Sequence, residues 1–203
     1  METIGGIDLI NGIILELHRQ IASDPIISDR MRIGIIEFSD TANELLQISN
    51  VQDVAEIPGL LPAEGLSNYG EAFNLLRVVI ARDIANLKSL GLAVYRPAVF
   101  FITDGEPTDD WEANHRALTD KATNPQAPHI ISFGVAGANA AVIGKIGTKA
   151  AFIANHGVDP GNALKEILKS LTNTIVNSSS SSTPTLIVPS APPGTTAVPL
   201  DTM

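Results

Sequence analysis

The sequence contains no cysteine. That excludes disulfide staples, thiolate zinc sites and cysteine nucleophiles together, and it agrees with a reducing compartment. Basic residues are scarce as well: 13 Lys and Arg stand against 22 Asp and Glu, a formal net charge of −9. An acidic chain repels phosphate backbones, so nucleic acid is not an expected partner. No run reaches the ~18 apolar residues that a membrane span needs, so no membrane partner is expected. The first twenty residues carry Glu2, Asp8 and Glu16, with no basic stretch leading into an apolar one. No secretory leader is therefore expected, and the location these absences suggest is the cytoplasm.

What is present is ample for a core. Hydrophobic residues make up 44% and charged residues 17% of 203 positions, which suits one folded domain. The composition shifts once, at Asn177, where the chain becomes NSSSSSTPTLIVPSAPPGTTAVPLDTM. Such a Ser/Pro-rich segment has too little apolar surface to offset its ordering entropy. The expected division is a domain over residues 1–176 and a disordered tail over 177–203. Leu186-Ile187-Val188 is the apolar island in that tail.

The folded part alternates two periodicities. Ile10, Ile13, Ile14, Leu17 and Ile21 recur at helical spacing, and Ser23-Asp24-Pro25 stops that helix. MRIGIIEF, residues 31–38, reads as a strand, with residues 42–48 as its hairpin partner. A long helix is predicted over about 68–90, then the apolar strand AVFFIT at 98–103. A helix near 111–122, a strand HIISFGV at 129–135, a short helix near 139–146, a strand at 151–154 and a helix over about 160–176 follow. Apolar strands separated by helices indicate an α/β fold: a doubly wound, mainly parallel sheet with helices on both faces. In such a sheet ligands bind beyond the carboxyl ends of the strands.

Two segments fall there. The first is Thr103-Asp104-Gly105-Glu106-Pro107-Thr108-Asp109-Asp110-Trp111. Asp104 ends an apolar strand, where a hard cation can take a carboxylate oxygen, or where the residue simply begins a turn. Asp109 or Asp110 suits the start of the helix that follows. The second is Glu64-Gly65-Leu66-Ser67-Asn68-Tyr69-Gly70. Ser67 or Asn68 reads most simply as the cap of the long helix, and a hydroxyl in that place can also ligate a cation. Other motifs fail. GANAAVIGK has the wrong spacing for a phosphate loop, and the Ser67 segment is one residue too long for a nucleophile elbow. His18, His115, His129 and His156 show no metal-ligand spacing and read as surface or strand-edge residues. Trp111 reads as an anchor packing a helix on the sheet edge.

The string FFITDGEPTDDW, with IGIIEFSD and GLSNYGEAF, resembles the von Willebrand factor A (vWA) domain family, and within it bacterial proteins associated with tellurium resistance and similar stress operons. The resemblance covers roughly residues 1–175. It implies a metal-ion-dependent adhesion site, a Mg²⁺ centre built from a D-x-S-x-S loop, a threonine loop and the T-D-G aspartate. By position Asp104 is that aspartate, and Ser67 stands where the family usually has threonine. The implied function is non-enzymatic: a protein-interaction module whose partner, another protein, offers an acidic side chain to the metal, with Glu106 to Trp111 on the contacting rim.

One departure is large. The family's central first strand and its D-x-S-x-S loop have no counterpart ahead of Met1-Glu2-Thr3-Ile4-Gly5. The resemblance therefore implies either an internal Met at position 1 or a genuine truncation. It also implies a gap in the sheet between MRIGIIEF and AVFFIT, or a new pairing that closes it. Each ladder group left unpaired in a core costs about 1–3 kcal/mol. With one carboxylate and one hydroxyl, Mg²⁺ is expected to be held weakly or not at all. Two alternatives stand beside this reading: an α/β hydrolase with Ser67 as nucleophile and Asp104 as triad acid, and an inactive truncated remnant.

Overall fold

A computed structural model describes residues 6–55, 58–59, 66–135, 137–179, 186–188 and 190–201. The chain opens with helix α1 (Gly6–Ala22), and Asp24 then caps a short helix α2 (Pro25–Arg30) by accepting the Ile27 N–H at 3.1 Å. The Asp-Pro pair that ends the first helix thus also starts a second, with proline at a first-turn position where its missing N–H costs nothing. Strands β1 (Arg32–Phe38) and β2 (Ala42–Asn50) form the expected antiparallel hairpin. A single 3-10 turn (Val51–Asp53) follows, and later comes the long helix α3 (Tyr69–Ser89).

The rest alternates as its apolar runs predict: β3 (Ala98–Thr103), α4 (Glu112–Thr119), β4 (His129–Gly134), α5 (Ala140–Ile146), β5 (Ala150–Ala154) and α6 (Pro160–Ser179). β3, β4 and β5 pair in parallel, so the fold is α/β with a mainly parallel sheet. Side chains alternate across it. Phe101, Ile130 and Ala151 face α3, α4 and α5. Phe100, Ile102, Ile131, Phe133 and Phe152 face Ile167 of α6 and Leu186 of the expected apolar island. α6 in turn packs against α1.

The sheet is in two pieces. β1–β2 forms one, β3–β4–β5 with a sixth strand forms the other, and among the described residues no ladder joins β1 to β3. The gap expected between MRIGIIEF and AVFFIT is therefore present, and among the described residues no new strand pairing closes it. Burial follows the break. All but the first residue of β4 are buried, whereas no residue of β1 or β2 is. Side chains hold the hairpin in place of a ladder. Phe38 stacks on Phe101 with ring centroids 5.0 Å apart, and Tyr69 and Phe73 of α3 close the aromatic cluster around them. Arg82 of α3 forks onto Glu44 of β2, with Nη1 donating to Oε2 at 2.8 Å, while its Nε donates to Asp83 at 2.8 Å. That guanidinium holds the Glu44 carboxyl below its ordinary range.

The expectation of a disordered tail does not describe residues 190–201. Gly194, at φ 77°, makes the turn into strand β6 (Thr195–Ala197), which runs antiparallel to β5. Val198 N–H donates to Ala151 C=O at 2.8 Å, and Val198 and Leu200 pack on the core. At Gly144 the chain passes so close that a Cβ would stand 2.6 Å from the Pro199 carbonyl oxygen. A free strand edge and a glycine notch supply here the partners that this Ser/Pro-rich segment lacks in itself.

Candidate functional site

The carboxyl ends of β1 and β3 meet the start of α3 at one rim. Two connections draw the Ser67 segment onto the end of β3, and a third set ties it to the turn after β1. Thr108 N–H donates to Ser67 C=O at 3.0 Å. A Cβ placed on Gly105 would lie 2.5 Å from Ser67 Oγ, so glycine leaves room for the serine hydroxyl where it stands. The turn after β1 joins them, since Leu66 N–H donates to Asp40 Oδ1 at 2.5 Å and Asn68 N–H to Ser39 C=O at 2.9 Å. Ser67 and the Asp104-Gly105 turn, predicted from separate segments, are thus side by side. Glu64 and Gly65 lie outside the described residues.

The capping expectations are corrected. Asn68 occupies the cap position of α3, but its side chain makes no cap bond and donates instead to Asp40 C=O at 3.0 Å. The cap comes from across the rim. Asp109 accepts the Tyr69 N–H at 3.0 Å and the Gly70 N–H at 2.7 Å, one on each carboxylate oxygen. It therefore serves α3 rather than α4, the helix it precedes. A carboxylate on free helix N–H groups satisfies orphan donors and complements the helix dipole at once. Gly70 is required for this approach, because a Cβ there would meet Asp109 Oδ2 at 2.5 Å.

Tyr69 is the organising residue that the spacing of acids and hydroxyls did not reveal. Its hydroxyl donates to Gly105 C=O at 2.8 Å and lies 2.9 Å from Thr103 Oγ1, which accepts the Gly105 N–H at 3.2 Å. Since the phenol proton is on Gly105, the threonine hydroxyl is the donor in the second contact. The closed circuit fixes the turn that carries Asp104. Burial pushes the Tyr69 hydroxyl up to about 12, the Thr103 bond works against this, and the charges of Glu106, Asp104 and Asp109 add to it. The phenol stays neutral and serves as a donor.

Trp111 is not on the contacting rim. It is 2% exposed and packs by its edges among Tyr69, Phe73 and His115, so the expected rim ends at Asp110. Its reading as an anchor agrees with this place at the start of α4. His115 is likewise no surface residue: it is 4% exposed, with Nε2 2.9 Å from the Ile146 carbonyl oxygen and Nδ1 without a hydrogen-bond partner among the described residues. Burial holds its pKa below the ordinary value. His18 contacts Val51 C=O, and His129 begins β4 at the opposite end of the sheet. His156 follows β5, two strands from β3. Among the described residues neither histidine hydrogen bond, His18 to Val51 nor His115 to Ile146, reaches Ser67, so the hydrolase alternative gains no support.

As a cation site the rim is sparse. Asp104 and Ser67 are hard oxygen donors suited to Mg²⁺. Among the described residues no group of three or more His, Asp or Glu side chains is placed to hold a metal. Among them also, no helix is long and apolar enough to cross a membrane.

Compared with models of known protein families the chain matches none, and no curated protein matches it. Solved structures do match. One is the conserved hypothetical protein BatB from Bacteroides thetaiotaomicron, at 19% identity and a TM-score of 0.31, covering 71% of this chain and 62% of that one. The chain thus spans about three fifths of that protein's length. A likeness at this level assigns neither function nor site.

Proposed function

We propose that the chain is a non-enzymatic protein-interaction module of vWA type, working through the rim at the carboxyl ends of β1 and β3. The observation that carries this reading is the contact of the Ser67 segment with the Asp104-Gly105 turn, made by the Thr108–Ser67 bond and the close approach at Gly105. A hydroxyl and a carboxylate from two separate loops are the oxygen donors a Mg²⁺ ion takes. Ser67 and Asp104 would hold the ion, and an acidic side chain from a partner protein would complete its shell. The ion would supply charge that makes an acidic rim attractive to an acid. Two protein donors make this a weak site, consistent with the D-x-S-x-S loop having no counterpart in this sequence.

Glu106 and Asp110, both exposed beside Asp104, form the contacting rim in this reading. A stress-response setting, a link to tellurium resistance and a cytoplasmic location belong to the same proposal and rest on the resemblance and composition of the sequence. Thermal melting with and without Mg²⁺ tests it. The melting temperature is expected to rise with Mg²⁺ in the parent protein and to be unmoved in Asp104→Ala, because an ion stabilises only the state that binds it. A cooperative melt indifferent to Mg²⁺ removes the metal from the reading; the absence of a cooperative melt supports the inactive remnant.

A further inference from the structure

The two ends of the β3–β4–β5 sheet differ in charge and in apolar exposure. Segments 88–97, 120–129 and 147–149 lead into the starts of these strands and carry Lys88, Arg96, Lys121 and Lys149, all exposed. Their one acid is Asp120, whose carboxylate already accepts from Ala122 N–H and the Thr123 hydroxyl at 2.9 Å each. Arg96 is held in place by donating to Ala127 C=O. Within the same pole Leu90 is 74% exposed, Tyr95 62% and Leu92 43%. Large apolar side chains that stand in water beside cations are the composition of a contact surface rather than of a solvated face.

The opposite pole complements it. The described turns after β1, β3 and β5 carry Asp40, Asp104, Glu106, Asp109, Asp110 and Asp159, without a Lys or Arg. Leu66 stands among them, 59% exposed. Parallel strands put these two poles at opposite ends of one molecule, so no copy can satisfy itself. We propose that a second copy of this chain is the occupant: the basic, apolar pole of one molecule seats on the acidic rim of the next, head to tail. Arg96, Lys121 and Lys149 meet Glu106 and Asp110, while Tyr95, Leu90 and Leu92 cover Leu66. Because the contact is heterologous and the poles face opposite ways, assembly is open and grows with concentration instead of stopping at a dimer. The net charge of −9 opposes approach at long range, but salt screens that repulsion beyond about 8 Å near 0.15 M while contacts at the interface lie inside that distance.

Sedimentation velocity in EDTA, which keeps the metal reading separate, tests the proposal. The parent protein should show a weight-average size that climbs steadily with concentration and falls when salt is raised. A pole variant, Lys121→Glu with Lys149→Glu, and a rim variant, Glu106→Lys with Asp110→Lys, should each remain monomeric, with association weakened at least tenfold. Mixed in equal amounts, they should associate again, since the intact rim of one meets the intact pole of the other. Circular dichroism melts close to the parent's show that both variants fold. A parent protein that stays monomeric, a mixture that fails to associate, or association that survives both variants overturns the proposal. The last result would point instead to the edges of β1 and β3, which no described strand pairs.

Discussion

Replacing Asp109 with alanine tests whether the rim is built as one unit across two loops. The carboxylate accepts two backbone N–H groups at the start of α3, at 3.0 and 2.7 Å. Hydrogen bonds to a charged group are worth about 1.5–3 kcal/mol each, and loss of an N-cap costs about 0.5–2 kcal/mol in total. The rim is half-exposed, so water recovers part of the loss, and about 2 kcal/mol is expected. For a domain of this size that lowers the melting temperature by about 4–8 °C. Asp109→Asn keeps one acceptor oxygen and should lose about half as much. Asp110→Ala, exposed and one residue away, should stay within about 0.5 kcal/mol of the parent protein. Thermal and urea melts followed by circular dichroism read all three. An Asp109→Ala protein that melts within about 1 °C of the parent would refute the cap and the joining of the loops argued from it.

Removing the Tyr69 hydroxyl (Tyr69→Phe) should cost about 1–2 kcal/mol and speed amide exchange at Gly105, because it opens the hydrogen-bond circuit with Thr103. Exchange at Gly105 as slow as in the parent would contradict that role. Acid should destabilise the protein through two histidines, one buried and one half-buried. His115 is held below its ordinary 6.5 by burial, and His129 is lowered to about 4 by burial and by Lys149, Arg96 and Lys121. The unfolded chain therefore binds more protons below pH 6.5, so stability present above 6.5 is lost as pH falls toward 4. His115→Gln and His129→Gln should each flatten that part of the melting-temperature profile; an unchanged slope in both would count against the burial argument. Deleting residues 190–203 strips β6 from β5 and removes the packing of Val198 and Leu200, for an expected loss of about 3 kcal/mol. A truncated protein as stable as the parent would return this segment to the status of a loose tail.

The elements that were legible in the sequence are those whose pattern is local. AVFFIT and HIISFGV read as strands because a strand buried on both faces needs apolar side chains at every position. The hairpin emerged from the apolar run at 31–38 closed by Ser39-Asp40, and the long helix from a period of 3.6. The Ser67 and Asp104 segments were legible as a pair through the resemblance, which also located the break in the sheet. What stayed hidden depends on chain distant in sequence. Asp109 looks like the cap of its own helix until tertiary structure brings it to α3, some 40 residues away. Residues 190–201 have the composition of a tail, and only the open edge of β5 and the notch at Gly144 give them a place. His115 carried no sign of burial, since its partners Phe73 and Ile146 lie on other parts of the chain. Tyr69 could have been noticed as the aromatic residue at which the Ser67 segment passes into the long helix.

The most direct measurement of the central claim is a titration with Mn²⁺, standing in for Mg²⁺, followed by the electron paramagnetic resonance of the free ion. A rim with one carboxylate and one hydroxyl should bind one ion per chain with a dissociation constant on the order of a millimolar. Asp104→Ala should abolish that binding and Ser67→Ala should weaken it. Uptake that is the same in the parent and in both variants, or none at all up to ~10 mM, would contradict a metal-dependent contact at this rim.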